Sequence, residues 1–239
     1  MEQIYDNFYR NVIAEDRWMM LLQGLGATII IAVFAAMIGI VLGFLVAMVR
    51  STHEMTLRGK KCRSFGEVIL KIIDKFCGFY ITVIRGTPML VQLMIMYYII
   101  FASSRNGMLA AILSFGINSG AYVAEIVRGG IMSIDKGQFE ASRSLGFNYK
   151  STMIHIILPQ ALKNVLPALG NEFIVLFKET SVAGYVAIMD LTYMANLIIS
   201  RTYDAFFPLI IIALIYLLIV LLLTFLLKKL ERRLRNSDH

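Results

Sequence analysis

The chain has 239 residues, 58% of them hydrophobic and only 16% charged, with a mean hydropathy of +0.72 and a formal net charge of +7. A soluble domain of this size would expose far more apolar surface than water tolerates, so composition excludes one and points to an all-α integral membrane protein. Cys62 and Cys77 stand far apart without C-x-x-C spacing, and His53, His155 and His239 are scattered, so neither a disulfide nor a metal site is expected.

Residues 1–18 form an N-terminal segment that carries Glu2, Asp6, Glu15 and Asp16 and has no basic start, unlike a cleaved signal peptide. A membrane domain over 19–230 follows. Crossing about 30 Å of hydrocarbon takes roughly 20 apolar residues, and Leu25 to Val49 is the first such run. Phe65 to Ile84 is apolar but carries Glu67, Lys71, Asp74 and Lys75 on one helical face, with Val68, Ile69, Ile72, Phe76 and Phe79 largely opposite. That spacing predicts an amphipathic helix at the cytoplasmic interface that leads into a second span, Pro88 to Ser103; a sixth full span is the alternative. At Arg85-Gly86-Thr87-Pro88, Thr87 can cap the helix and Pro88 can fix its first turn.

The third span, Leu109 to Arg128, aligns Asn118, Tyr122 and Glu125 in one stripe, which faces either a cavity or a neighbouring helix. Gly39 and Gly43, like Gly116 and Gly120, are small-x-x-x-small pairs suited to close helix packing. A polar loop over about 129–155 precedes the fourth span, Ile156 to about Tyr185. This span is the least lipid-like: Asn164, Asn171 and Lys178 recur every seven residues, as do Glu172 and Glu179. Glu172 falls near mid-membrane, where a charge needs a partner or water, and Pro167 and Gly170 permit a kink or unwinding just before it. Lys178 and Glu179 either face a pathway or pair with each other. Pro208 to Leu227 is the fifth span, and 231–239 are a tail.

Positive charge sets the orientation. Fifteen Lys and Arg residues fall in three blocks: Arg50, Arg58, Lys60, Lys61, Arg63 and Lys71; Arg128, Lys136, Arg143 and Lys150; and Lys228, Lys229, Arg232, Arg233 and Arg235. Only Arg10, Arg17, Arg105 and Arg201 fall on the other side. Five spans, with the N-terminus outside and the C-terminus cytoplasmic, satisfy every block, so the net charge reflects topology rather than nucleic-acid binding.

Within the loop, Glu140-Ala141-Ser142-Arg143-Ser144-Leu145-Gly146 is followed by Ile156-Ile157-Leu158-Pro159. A carboxylate at Glu140 can anchor or start a short helix, Ala141 lets a partner approach, and Gly146 can stop the helix with a positive φ. Leu158-Pro159 can open the next span. The pattern resembles the EAA loop of permease subunits in bacterial ABC importers. The resemblance extends to Val83-Ile84-Arg85-Gly86-Thr87-Pro88-Met89-Leu90-Val91-Gln92-Leu93, to Asn118 through Ile131, to Gly137-Gln138-Phe139-Glu140-Ala141 and to Phe177-Lys178-Glu179-Thr180-Ser181. These segments are similar to those of the histidine, glutamine, arginine and cystine permeases, and the similarity covers nearly all of the chain after Trp18. Ser142 departs from the second Ala of many members.

The resemblance implies a type I ABC importer permease in a bacterial inner membrane, carrying polar amino acids. Implied partners are two cytoplasmic ATPases that bind ATP and Mg, a second permease subunit, identical or similar, and an extracytoplasmic binding protein. Glu140, Ala141, Gly146, Leu158 and Pro159 would then couple to the ATPase. The candidate substrate pathway comprises Asn118, Tyr122, Glu125, Asn171, Glu172, Lys178 and Glu179, with Arg85 and Gln92. The chain has no G-x-x-x-x-G-K-[ST], H-E-x-x-H or G-x-S-x-G, so no ATPase or hydrolase activity and no cofactor of its own are expected. The alternatives are a non-conducting scaffold that anchors an ATPase, which has no need of Glu172, and a passive channel, which has no need of a coupling loop.

Overall fold

The computed structural model describes residues 2–62, 64–104 and 106–236, with the side chains of 2–4 and 235–236 excepted. Arg63, Arg105 and His239 lie outside the described residues, and of Arg235 only the backbone is described. All regular structure among the described residues is helical. The α-helices are α1 (Glu2–Phe8), α2 (Arg17–Thr56), α3 (Phe65–Arg85), α4 (Met89–Ile95), α5 (Gly107–Met132), α6 (Lys136–Ser144), α7 (Tyr149–Thr152), α8 (Leu158–Glu179), α9 (Leu191–Thr202) and α10 (Phe206–Asn236). π-helical turns occupy Tyr9–Ile13, Met96–Ile100 and Met153–Ile157, and 3-10 turns Ala14–Asp16 and Thr180–Val186.

α2, α5 and α10 are each long and apolar enough to cross a membrane alone. The second and fourth spans differ from expectation. α4 with its π-turn is too short by itself and qualifies only together with α3, across the break at Gly86-Thr87-Pro88. That break is not capped as expected: Pro88 itself is the N-cap of α4, while the Thr87 hydroxyl donates back to the Val83 carbonyl at 2.9 Å. The fourth helical run starts at Tyr149, not Leu158, because the Asn148 side chain caps it by accepting from the Ser151 N–H at 2.8 Å. Pro159 therefore lies inside a continuous run. It has no N–H to give the His155 carbonyl, and the preceding turn, Met153–Ile157, is widened to π geometry. α8 then runs through Pro167 and Gly170 without the unwinding their sequence permits. α9 was not expected. Asp190 starts it by accepting from the Tyr193 N–H at 2.8 Å, and Tyr203, at φ 55°, ends it.

By contacts the chain divides into two compact units, Met1–Ala36, Pro88–Gly116 and Phe173–Lys228 in the first, and Met37–Thr87, Ile117–Glu172 and Lys229–His239 in the second. The first is built on Ile31, Ala35, Leu93, Phe115, Leu176 and Val186, with a further cluster of Leu21, Leu191, Ala195 and Ile198. There Gly24 lets α2 meet the α9 start, where an added Cβ would sit 2.8 Å from the Asp190 carbonyl, and Thr28 accepts from the Leu191 N–H at 3.1 Å.

The second unit is centred on Ala47, Val123, Val127, Ile131, Met153, Ile157 and Val165. α2 and α5 approach closely here, as the glycine pair predicts. A Cβ on Gly39 would lie 2.9 Å from Ser119 Cβ, and one on Gly43 2.8 Å from the Gly120 carbonyl. α3 is the amphipathic helix expected, packed through Cys77, Tyr80, Ile81 and Ile84 onto Leu42, Val46, Ala121 and Ala124.

Candidate functional site

The polar loop is a folded surface element. α6 starts at Lys136, where the Asp135 carboxylate accepts from the Gly137 N–H at 2.6 Å. Glu140 is therefore not its start but sits in its second turn, because Asp135 already holds the capping position. The expected stop is in place. Gly146 has φ +88°, its N–H reaches the Arg143 carbonyl at 3.1 Å, and the Phe147 N–H reaches the Ser142 carbonyl at 3.1 Å. This pair of bonds around a left-handed glycine closes the helix end.

One face of α6 is held by the second unit. Phe139 packs in that unit's core and meets the Tyr149 ring edge-on at 5.9 Å, while the Tyr149 hydroxyl bonds Thr52 at 3.1 Å. Ser142 also points inward. It is buried, with its hydroxyl donating to the Gln138 carbonyl at 2.5 Å, so the departure from Ala falls on the protein side of the helix. Glu140, Ala141, Arg143, Ser144 and Leu145 are exposed on the outer side. Beside them a groove of about 410 Å³ is lined by Glu54, Met55, Arg58, Asp135, Phe139 and Glu140, among others. Leu158 and Pro159 lie in the following helical run and not on α6.

The candidate pathway residues separate by unit. Gln92, Lys178 and Glu179 belong to the first, and Arg85, Asn118, Tyr122, Glu125, Asn171 and Glu172 to the second. In the second unit, Arg85 lies over the Tyr122 ring at 5.1 Å and 3.9 Å from a Glu125 carboxylate oxygen. Arg128 binds the same carboxylate through two hydrogen bonds at 3.2 and 3.0 Å, and reaches Glu54 of α2 at 3.1 Å. Glu54 in turn pairs with Arg58 at 2.5 Å. The Glu125 charge is thus shared between two guanidinium groups. Asn118 is buried on α5, and Asn171 is exposed on α8.

Glu172, half-buried, accepts a hydrogen bond from the Ser119 hydroxyl at 3.2 Å. Ser119 is also the residue that Gly39 of α2 approaches, where an added Cβ would lie 2.9 Å from its side chain. Sequence reasoning missed Glu54, Ser119, Arg128 and Asp135 as members of these groups. The i,i+3 spacing of Glu125 and Arg128 and the Asp135-Lys136-Gly137 helix start were readable signals, whereas nothing local joins Glu54 to Arg128 or Ser119 to Glu172.

Comparison with known proteins gives this geometry a family. Residues 65–236 match the family model described as the binding-protein-dependent transport system inner membrane component. The arginine transport system permease protein ArtQ of Bacillus subtilis is 38% identical over 221 residues, 91% of this chain and 94% of that protein. The glutamine transport system permease protein GlnP of Escherichia coli is 36% identical over 220 residues, 90% and 93% of the two chains. The crystal structure of an amino acid ABC transporter matches at TM-score 0.78 and 40% identity, covering 90% of this chain and 94% of that one. An inward-facing MetNI methionine ABC transporter shares the fold at TM-score 0.77 and 19% identity. The chain is an integral membrane permease that belongs to the family of binding-protein-dependent transport system inner membrane components.

Proposed function

We propose that this chain is the membrane-spanning subunit of an ATP-driven importer for polar amino acids, seated in a bacterial inner membrane. It works beside a second permease subunit, two cytoplasmic ATPases that bind ATP and Mg, and an extracytoplasmic binding protein that delivers the substrate. The permeases it resembles bear glutamine and arginine transport in their names, which supports the substrate class. The observation that carries the reading is the build of α6. It is capped by Asp135, stopped at Gly146, and packed on the second unit through Phe139 with Ser142 buried, so its outer face is presented with Glu140 and Ala141 exposed. A helix held in this way transmits force from a docked ATPase to the helices behind it, which a solvated loop cannot do.

The topology proposed is five spans, counting α3–α4 and the fourth helical run with α9 as one each, with the N-terminus outside and α6 in the cytoplasm. Glu172 and its Ser119 partner mark the substrate path, where the carboxylate meets the cationic part of an amino acid. To test the docking face, a cysteine at Glu140 is paired with cysteines around the ATPase groove in the assembled complex. Disulfide formation at that position, and none from buried Ser142→Cys, is the expected result; the reverse pattern would remove the outer face of α6 as the ATPase contact.

A further inference from the structure

We propose that the turn after α2, at Lys60 and Lys61, is a seat for the phosphate headgroup of an anionic phospholipid in the cytoplasmic leaflet. The proposal rests on the orientation given above and on no feature of the transport path. α2 ends at Thr56, and Gly59, at φ +76°, turns the chain so that two lysines follow at once. The turn borders an open pocket of about 590 Å³ lined by Thr56, Leu57, Lys60, Lys61 and Glu67. The Lys60 ammonium is held there by one hydrogen bond to the Thr56 carbonyl at 3.1 Å, which leaves two of its three protons for an anion. Lys61 is exposed at the same pocket.

The surroundings favour a negative ligand with a long apolar part. Arg58, Lys60, Lys61, Lys71 and Lys75 are exposed in this region. Of the nearby acids, Glu54 is paired with Arg58 and Arg128, and Asp74 lies 3.1 Å from His53 and 3.8 Å from Arg50. Glu67, on the pocket wall, has an interaction of its own.

α3 presents three faces. Cys77, Tyr80, Ile81 and Ile84 pack into the fold, Lys71 and Lys75 form a charged edge, and Phe65, Ile69, Ile72, Phe76 and Phe79 are exposed. Phe65 and Glu67 share the first turn of α3, so the apolar face begins where the lysine pocket ends. A phosphodiester on Lys60 and Lys61, with acyl chains along the phenylalanine face, satisfies both surfaces; a free phosphate satisfies only the first. Basic residues beside membrane helices bind anionic headgroups in this manner.

The test is a titration of the purified permease–ATPase complex in detergent with phosphatidylglycerol or phosphatidylcholine, with bound lipid read by native mass spectrometry. The wild-type complex should retain phosphatidylglycerol selectively. The double variant Lys60→Gln/Lys61→Gln should bind it about 25-fold more weakly, at about fivefold per lysine. Lys228→Gln/Lys229→Gln, which removes equal charge from α10, should have little effect. Unchanged retention in the first variant, or an equal loss in both, would overturn the seat in favour of no site or a diffuse field. Displacement of the lipid by millimolar inorganic phosphate would assign the pocket to the free ion and likewise overturn it. Because the readout is binding, a complex that retains the lipid but transports nothing counts against the importer reading alone.

Discussion

Arg128 holds Glu125 by two hydrogen bonds, from Nε at 3.2 Å and from Nη2 at 3.0 Å, and its third nitrogen reaches Glu54 on another helix. Through these contacts the end of α5, three residues before the groove that begins at Ile131, is tied to the end of α2, which lines that groove too. Arg85 joins the same carboxylate from the end of α3. Three helix ends therefore meet at one charge cluster. All of these side chains are partly exposed, which limits the energy to the range of charged hydrogen bonds rather than of a buried ion pair.

Arg128→Ala should lower the stability of the complex by about 1–3 kcal/mol, a fall of roughly 2–12 °C in Tm for a chain of this size. Arg128→Lys keeps the charge but cannot make both bonds to Glu125, so its loss should be smaller. A thermal unfolding curve for each variant decides, and equal Tm values for all three proteins would mean that the cluster contributes no net stability.

Two glycines of α2 should respond to alanine with opposite signs. At Gly43 an added Cβ would lie 2.5 Å from Val123 Cβ and 2.8 Å from the Gly120 carbonyl, so Gly43→Ala forces α2 and α5 apart and should cost about 1–3 kcal/mol. Gly26 faces open space, and Gly26→Ala should stabilise the helix by up to about 1 kcal/mol. The comparison is made on the same thermal curves; destabilisation by Gly26→Ala would show that this face is covered in the assembled complex.

Orientation is open to impermeant thiol reagents once Cys62 and Cys77 are replaced by serine. Cysteines at exposed Tyr5 and Arg201 should label from outside, and one at exposed Lys150 only after the membrane is permeabilised. Lys150 is chosen because neighbouring Asn148 caps α7 and its loss would fray the element. Labelling of Lys150→Cys in sealed cells contradicts the charge bias that places α6 in the cytoplasm.

Glu172→Gln preserves shape and the contact with Ser119 but removes the charge. If the carboxylate meets the substrate's cationic group, the loss is about 1–3 kcal/mol, or roughly 5- to 150-fold in apparent affinity, with ATPase assembly intact. Unchanged uptake kinetics would make Glu172 an inter-helix polar contact only.

Much of this was legible in the chain. Apolar runs located α2, α5 and α10, the charge spacing at 67, 71, 74 and 75 gave α3, and Gly146 fixed where α6 stops, because each of these depends on local periodicity or on a single residue's φ. Errors fell where a neighbour overrides the local signal. Pro159 reads as a helix start, yet Asn148 caps the run nine residues after Phe139 and a π-turn absorbs the proline. Glu140 reads as a first-turn carboxylate, yet Asp135 is better placed to cap. The Glu54–Arg128 and Ser119–Glu172 contacts join residues distant in sequence, and no short-range pattern encodes them.

The central claim, that α6 conveys ATP-driven work to an amino-acid path, is tested most directly in proteoliposomes that hold the complete complex, with the binding protein outside and ATP inside. Uptake of a panel of labelled polar amino acids is measured beside ATP hydrolysis, for the wild type and for Glu140→Lys. The wild type should accumulate at least one amino acid only with ATP and binding protein both present, and Glu140→Lys, with its helix intact, should lose that uptake. Accumulation by Glu140→Lys at the wild-type rate, with hydrolysis stimulated as in the wild type, would contradict the account.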